Sequence, residues 1–434
     1  MEKKFRLTAL EKHWILYDIG NSAFILLVST LLPIYFNSLA SAGGLSESDY
    51  LAYWGYAASV VTVLVAIIGP ICGTLADQGG IKKNLFLICM LLGAVGCALL
   101  GAAWNWLVFL IIFVIAKVGF SSSIVFYDSM LTEVTAPERM DTVSSMGYAY
   151  GYIGSVIPFV VCLVVVLGYE AIGISQTTAM IIAFIITAVW WILCSLPLAR
   201  SYKQTSFVAK SKESPVTATF HQLLRTFRDA RKEKHIFLYL LAFFFFIDGV
   251  YTIIDMATAY GAALGLDTTG LLLALLVTQI VAFPCSIIFG RLSAKYDTAK
   301  LIKVSIAAYT GITVFAIFLQ SQWQFWTLAV LVGMFQGGIQ ALSRSYLGKI
   351  IPAERSGEYY GLMDICGKGA SFVGTTMVAV VSQVTDGLTW SLFGLTVENE
   401  GLAVGTLVVL FAIGFVLFCK ADQLHRAREG CASS

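Results

Sequence analysis

The sequence predicts an all-α membrane protein, with twelve transmembrane helices in two pseudo-symmetric six-helix bundles. Three observations carry that expectation. The 434-residue chain is 58% hydrophobic and 12% charged, with a mean hydropathy of +0.82, and its apolar runs reach the ~20 residues that a bilayer requires. Its basic residues fall on alternate connections. A motif recurs 216 residues along the chain: Tyr127-Asp128-Ser129-Met130-Leu131 faces Ser343-Arg344-Ser345-Tyr346-Leu347, and Glu138-Arg139 faces Glu354-Arg355. Such a repeat in so apolar a chain points to two homologous halves around one central site.

The charges set the topology. Of the 28 Lys and Arg residues, 26 lie before the first span, after the second and fourth, between Arg200 and Lys234, around the gaps after the eighth and tenth spans, or at the C-terminal end. The other two, Lys117 and Lys368, lie inside spans. The intervening connections carry no basic residue. The positive-inside rule then puts both termini in the cytosol with an even number of spans, as expected of a multi-pass protein of a bacterial cell membrane. The implied division is 1–198, a basic linker at 199–234, and 235–434. Within the linker, Phe220 to Phe227 with Arg228, Arg231, Lys232 and Lys234 reads as an amphipathic helix on the membrane surface. Membrane lipid, rather than nucleic acid, is its expected partner. The cysteines lie in or at the ends of spans, apart from Cys431 in the tail, and read as small core residues. No cleavable signal peptide is expected, because the first apolar run carries Asp18 and Asn21.

Taken in order, the first span carries Asp18, Asn21, Ser22, Ile25 and Ser29 at helical spacing. This polar stripe must face protein or a water-filled cavity, because lipid does not solvate it. It serves either a transported solute or a hydrogen-bonded helix seam. The second span ends in Gly73-Thr-Leu-Ala-Asp77-Gln-Gly-Gly80-Ile-Lys82-Lys83, a close-packing glycine followed by an acid and two bases beyond the helix end. The fourth places Lys117 near the midplane with Ser121, Ile124 and Asp128 on one face, where an unpaired charge costs a few kcal/mol. The fifth carries Tyr148, Tyr152 and Ser155 and is expected to break at Pro158.

In the second half, the seventh span holds Asp248, Thr252 and Asp255 at i, i+4, i+7, with Gly249 inviting local unwinding. Two carboxylates in one span suit proton coupling, since desolvation and a nearby lysine act on them in opposite directions. The tenth offers Gln336, Gln340 and Ser343 before Arg344, groups fit to hydrogen-bond a solute. The eleventh carries Tyr360, Asp364, Lys368, Ser371 and Thr375 along one face. Asp364 and Lys368 either bind solute or merely neutralise one another, acid first, as an i, i+4 pair. The twelfth, about 402–419, is featureless.

These residues resemble known families. The Gly73-to-Lys83 string matches the loop signature of the major facilitator superfamily at every key position. The equivalent place, Gly290-Arg-Leu-Ser-Ala294-Lys-Tyr-Asp297, keeps the glycine and loses the acid. Tyr17-Asp18-Ile-Gly-Asn21-Ser22-Ala23-Phe24, Phe126-Tyr127-Asp128, Asp248-Gly249 with Thr252-Ile253, Gln340-Ala-Leu-Ser343-Arg344-Ser345, and Tyr360-Gly361-Leu362 through Gly367-Lys368 are similar to the autophagy-related vacuole effluxers and their bacterial relatives. The chain departs from that branch at Ile19, Gly20 and Asp128. The resemblance implies a twelve-span facilitator, with amino acids exported by the fungal members, and a gate held closed at the cytosol by ionic contacts of Asp77. The gate set is Asp77, Lys82, Lys83, Asp128, Arg139, Arg344 and Arg355, with an Asp128–Arg344 or Asp77-linked contact predicted in the outward-facing state.

The function expected is secondary active transport, proton-linked, of a small polar or zwitterionic metabolite, with an amino acid foremost. The buried charges argue for it: Lys117 and Lys368 against Asp18, Asp248, Asp255 and Asp364 leave the spans two charges short of neutral. A lysolipid or amphiphile flippase and a non-transporting solute sensor are the other readings. No nucleophile–base pair, metal cluster or phosphate loop suggests an enzyme, no cofactor is expected, and a monomer is.

Overall fold

The computed structural model describes residues 5–208, 233–385, 390–392, 395–397 and 399–432. Its long helices are α1 (Ala9–Ala42), α2 (Glu47–Ala76), α3 (Lys82–Leu99), α4 (Trp106–Val134), α5 (Pro137–Leu167), α6 (Gln176–Ser201), α7 (Lys234–Ala263), α8 (Thr268–Leu292), α9 (Thr298–Ile317), α10 (Gln322–Ile350), α11 (Ser356–Val384) and α12 (Leu407–Ala432). Eleven helices among the described residues are long and apolar enough to cross a membrane. The remaining long helix, α11, has 29 residues and carries Glu358, Asp364 and Lys368; among the described residues its apolar stretch is Val373–Val384.

Side chains begin these helices where the backbone has spare donors. Thr8 and Glu11 form a capping box, with Thr8 N donating to Glu11 Oε2 at 2.7 Å and Glu11 N to Thr8 Oγ1 at 3.2 Å. Asn105 Oδ1 accepts from Val108 N at 2.8 Å, and Asp267 Oδ2 from Gly270 N at 2.7 Å. Several local expectations are corrected. Helix α5 runs through Pro158 without a break, because the helices of a bundle can re-satisfy the one carbonyl that proline leaves free. Helix α7 stays wound at Gly249; the glycine is there for packing, since a Cβ would lie 2.6 Å from the Phe411 ring. The last helix continues well past residue 419 to Ala432, carrying Asp422, which accepts from Lys303 Nζ at 2.6 Å. Two short antiparallel strands, β1 (Trp390–Leu392) and β2 (Leu395–Val397), interrupt the helical pattern. The 220–227 amphipathic helix lies outside the described residues.

The chain divides into two compact units. The first comprises Met1–Ala136, Tyr150–Phe220 and Pro352–Gly361, the second Pro137–Ala149, His221–Ile351 and Leu362–Ser434. In the first unit α1 packs on α6, α3 on α4, and α2 on α4. In the second α7 packs on α12, α9 on α10, and α8 on α10, the same pairing shifted by six helices. Small residues allow the closest approaches, as expected where backbones must meet in lipid. A Cβ at Gly119, for example, would lie 2.6 Å from Gly93 N. Around them sit aromatic clusters. Trp14 stacks on Tyr127 at 4.3 Å in the first unit, and Tyr239 tilts against Tyr346 at 5.0 Å in the second. Helix α5 belongs to the second unit up to Ala149 and to the first from Tyr150, and helix α11 to the first unit up to Gly361 and to the second from Leu362.

Candidate functional site

Within the first unit, Asp18 and Asn21 are both buried on α1. Asn21 Nδ2 donates to Tyr17 O at 3.1 Å and approaches Asp18 Oδ1 at 3.5 Å. Lys117 is half-buried on α4, with Nζ 5.1 Å from the Phe120 ring and 5.9 Å from Phe24. Aromatic faces offer a cation a stabilising field where water is absent. Tyr152 is half-buried on α5.

In the second unit, Asp248 and Thr252 are buried on α7, at 0% and 1% exposure. Asp248 Oδ1 accepts from Gly374 N of α11 at 3.0 Å and from Thr252 Oγ1 at 3.3 Å. Its other oxygen, Oδ2, has no hydrogen-bond partner among the described residues. Gly374 is required for this contact, because a Cβ there would lie 2.3 Å from Thr252 Oγ1 and 2.8 Å from Asp248 Oδ1. Asp255, one turn further along α7, is exposed. On α10, Gln336 is buried and Gln340 half-buried, and Gln336 Oε1 finds no donor among the described residues. Asp364 is half-buried on α11, whereas the Lys368 side chain lies outside the described residues.

The gate candidates form denser arrangements. Asp77 follows the last turn of α2, and its carboxylate reaches the start of α11. Gly357 N donates to Oδ1 at 2.7 Å and Glu358 N to Oδ2 at 2.9 Å. These are first-turn amides with no partner inside their own helix, and an acid beside them also meets the positive end of the helix dipole. Gly73 and Gly357 let the backbones touch: a Cβ on Gly357 would lie 2.3 Å from Gly73 O. Burial pushes the Asp77 carboxyl up to about 7, against the lowering effects of Lys82 and the two amides. Lys82 is wholly buried; its Nζ donates to Glu133 Oε1 at 2.7 Å and to Ser356 Oγ at 3.2 Å. Arg355 pairs with Glu358, with Nε 2.9 Å from Oε2. Lys83 beside them is half-buried.

A strap from the start of the linker lies over this cluster. Thr205 N donates to Glu133 Oε2 at 2.6 Å and Tyr202 OH to Glu133 Oε1 at 3.0 Å. Gln204 Nε2 donates to Ala76 O at 2.8 Å, and Val208 N to Asp77 O at 2.7 Å.

The second unit holds a counterpart. Asp141, near the start of α5, accepts from Lys349 Nζ at 2.6 Å, Thr298 Oγ1 at 2.5 Å and Ser345 Oγ at 2.6 Å. Arg344 is buried; it donates from Nε to Ser144 Oγ at 3.0 Å and lies 4.4 Å over the Tyr148 ring. Arg139 and Asp128 are half-buried. Sequence reasoning passed over Glu133, Asp141, Thr298 and the strap, and counted Lys349 only as a topology charge. The signal that could have found several of them is the 216-residue offset itself, which aligns Lys82 with Thr298 and Glu133 with Lys349.

The helix order and this pairing pattern are those of major facilitator superfamily transporters. Solved structures agree. The human organic anion transporter MFSD10 (TETRAN) superposes with a TM-score of 0.70 at 14% identity, covering 94% of this chain and 98% of that one. The transporter FucP in the outward conformation gives 0.68 at 15% identity, covering 95% and 97%. More particularly, the chain matches the "Vacuole effluxer Atg22 like" family over residues 10–137 and 132–423, and it belongs to that family. It is 39% identical over 423 residues to an uncharacterized MFS-type transporter of Bacillus subtilis (strain 168), YxiO, covering 96% of both chains. It is 25% identical over 288 residues to autophagy-related protein 22-1 of Aspergillus fumigatus, covering 58% of this chain and 45% of that protein. The chain thus spans under half the length of that fungal relative. Family and fold are those of membrane transporters, not of enzymes.

Proposed function

We propose that the protein is a proton-coupled secondary transporter that moves a small polar or zwitterionic metabolite, foremost an amino acid, across a bacterial cell membrane with both termini in the cytosol. The observation that carries the coupling is Asp248. A carboxylate wholly buried in a spanning helix, with one oxygen held by Gly374 N and Thr252 and the other free of partners among the described residues, is costly as an anion and takes up a proton readily. Asp18, Asn21, Lys117, Tyr152, Thr252, Asp255, Gln336, Gln340, Asp364 and Lys368 are the other groups proposed to meet solute or proton. Lys117 suits a carboxylate, and the acids suit an ammonium or a proton.

Alternating access needs ends that close and reopen. The Asp77–α11 and Asp141–α10 clusters are proposed to latch the cytosolic ends of helices from the two halves of the sequence, with Asp128 and Arg344 adding opposite charges at repeat-related positions. Uptake of labelled amino acids into proteoliposomes under an imposed pH gradient tests the coupling. The wild type should accumulate solute only with the gradient, and Asp248→Asn should exchange solute without accumulating it. Accumulation that ignores the gradient and survives Asp248→Asn would sink the proposal.

A further inference from the structure

The second unit contains a cavity of about 330 Å³, within the range of sites that hold drug-sized ligands. Its walls are apolar, with Ile253, Met256 and Ala257 from α7, Ile312 from α9, and Val378 and Ala379 from α11. Polar side chains enter chiefly at Thr252 and, from α11, at Ser382 and Gln383. Thr252 and Tyr260 both line the cavity and lie eight residues apart on α7, so it follows that helix for ~12 Å at 1.5 Å per residue. The Thr252 end is special, because the same hydroxyl donates to Asp248 Oδ1 at 3.3 Å, and Asp248 Oδ2 has no hydrogen-bond partner among the described residues. An apolar chamber therefore ends one side chain away from a buried, half-satisfied carboxylate.

We propose that this cavity binds a hydrophobic organic cation, with its ammonium at Asp248 and its apolar body along α7. Charge and lining select this class. A neutral hydrocarbon would leave the negative charge of the buried carboxylate uncompensated, at the usual penalty for an unpaired buried charge. A zwitterion would need a base for its own carboxylate, and no Lys, Arg or His lines the cavity among the described residues. A single cationic group on an apolar frame meets both demands. The site shares Asp248 and Thr252 with the coupling reading above, but its test reads equilibrium binding and not accumulation, so the two fail separately.

The test uses the full-length protein in lipid nanodiscs, radiolabelled benzyltrimethylammonium, and its uncharged carbon isostere neopentylbenzene as competitor. Wild type should bind the cation saturably and prefer it to the isostere by about tenfold or more, which is ~1.4 kcal/mol or more. Asp248→Asn should weaken the cation by about tenfold while the isostere is unaffected. Ala379→Phe, which fills the chamber from the α11 wall, should weaken both without lowering the melting temperature. The proposal is overturned if wild type shows no saturable binding or no preference for the cation. It is equally overturned if the cation binds a folded Asp248→Asn as well as wild type, or if Ala379→Phe changes neither ligand. The wild-type preference decides the matter even if Asp248→Asn does not fold.

Discussion

The clusters built on Glu133 and on Asp141 occupy repeat-related corners of the fold, yet they distribute charge differently. In the first unit the acid sits at the end of α4 and the base, Lys82, at the start of α3. In the second the base, Lys349, takes the place of the acid, the start of α9 offers only the hydroxyl of Thr298, and the acid has moved to the start of α5. Both clusters nonetheless make the same kind of object, a carboxylate hub accepting several donors at the junction of three helix ends. What the duplication has kept is the hub and the geometry, while the residue types were exchanged around it. The surroundings differ too. The Lys82–Glu133 side chains are completely buried, whereas Lys349 is 25% exposed.

The largest effect should come from breaking the drier hub. Lys82→Ala leaves Glu133 and Asp77 without their nearest cation, and removing one partner of a buried ion pair costs ~3–5 kcal/mol. A drop in melting temperature of the purified protein should follow, most of it recovered when Glu133→Gln is added. A single variant that melts like the wild type would show that the pair is not the fastening it looks to be.

Next in size is the pH response of Asp77. Its carboxyl is raised from 3.8 to about 7 by burial where it caps α11, and a solvated Asp77 has the ordinary value. The capped arrangement therefore binds a proton more tightly, so lowering the pH from 8 to 5 favours it and raising the pH through 7 disfavours it. Hydrogen-exchange protection of the Gly357 and Glu358 amides, corrected for intrinsic rate, should rise as pH falls, by at most roughly tenfold per unit, and should lose that slope in Asp77→Asn. Protection that falls on acidification would invert the sign and refute the linkage.

How much of this was legible in the sequence follows from the same comparison. The Asp77 end could be singled out because its chemistry is local, a glycine, an acid, a turn and two bases within eleven residues, although the expected partners were ions and its carboxylate accepts from two backbone amides. The helices were readable because length, hydropathy and charge placement are sums over many residues. The Asp141 hub was not, since its partners lie 157 to 208 residues away and each is an ordinary hydroxyl or lysine until the helices bring them together. The continuity of α7 at Gly249 and of α5 at Pro158 was misjudged for a related reason. A local breaker is overruled when neighbouring helices pack against it, as Phe411 does against Gly249.

Breaking the wetter hub should cost less. Lys349→Ala leaves Asp141 with Thr298 Oγ1 and Ser345 Oγ, and the lost pair is open to water on one side, so ~1–2 kcal/mol is expected. Measured side by side with Lys82→Ala, it should melt at the higher temperature of the two. Equal losses would mean that burial does not separate the hubs.

The smallest effect concerns a feature that the two hubs do not share among the described residues. Glu133 is covered by the chain leaving α6, and Gln204 ties that strap down by donating to Ala76 O at 2.8 Å while accepting from Lys82 N at 3.3 Å. Gln204→Ala removes both bonds and a third, from Nε2 to Ser206 O at 3.3 Å, but Gln204 is only half-buried and water can replace each of them. A loss of about 1 kcal/mol is therefore expected. The more telling readout is local. If the strap keeps water off Glu133, the variant should increase exchange at the Thr205 and Ser206 amides, which donate to that carboxylate, and leave the Ser345 and Lys349 region of the other hub unchanged. Exchange that rises equally at both would mean that the strap steadies the protein as a whole and does not shield one hub.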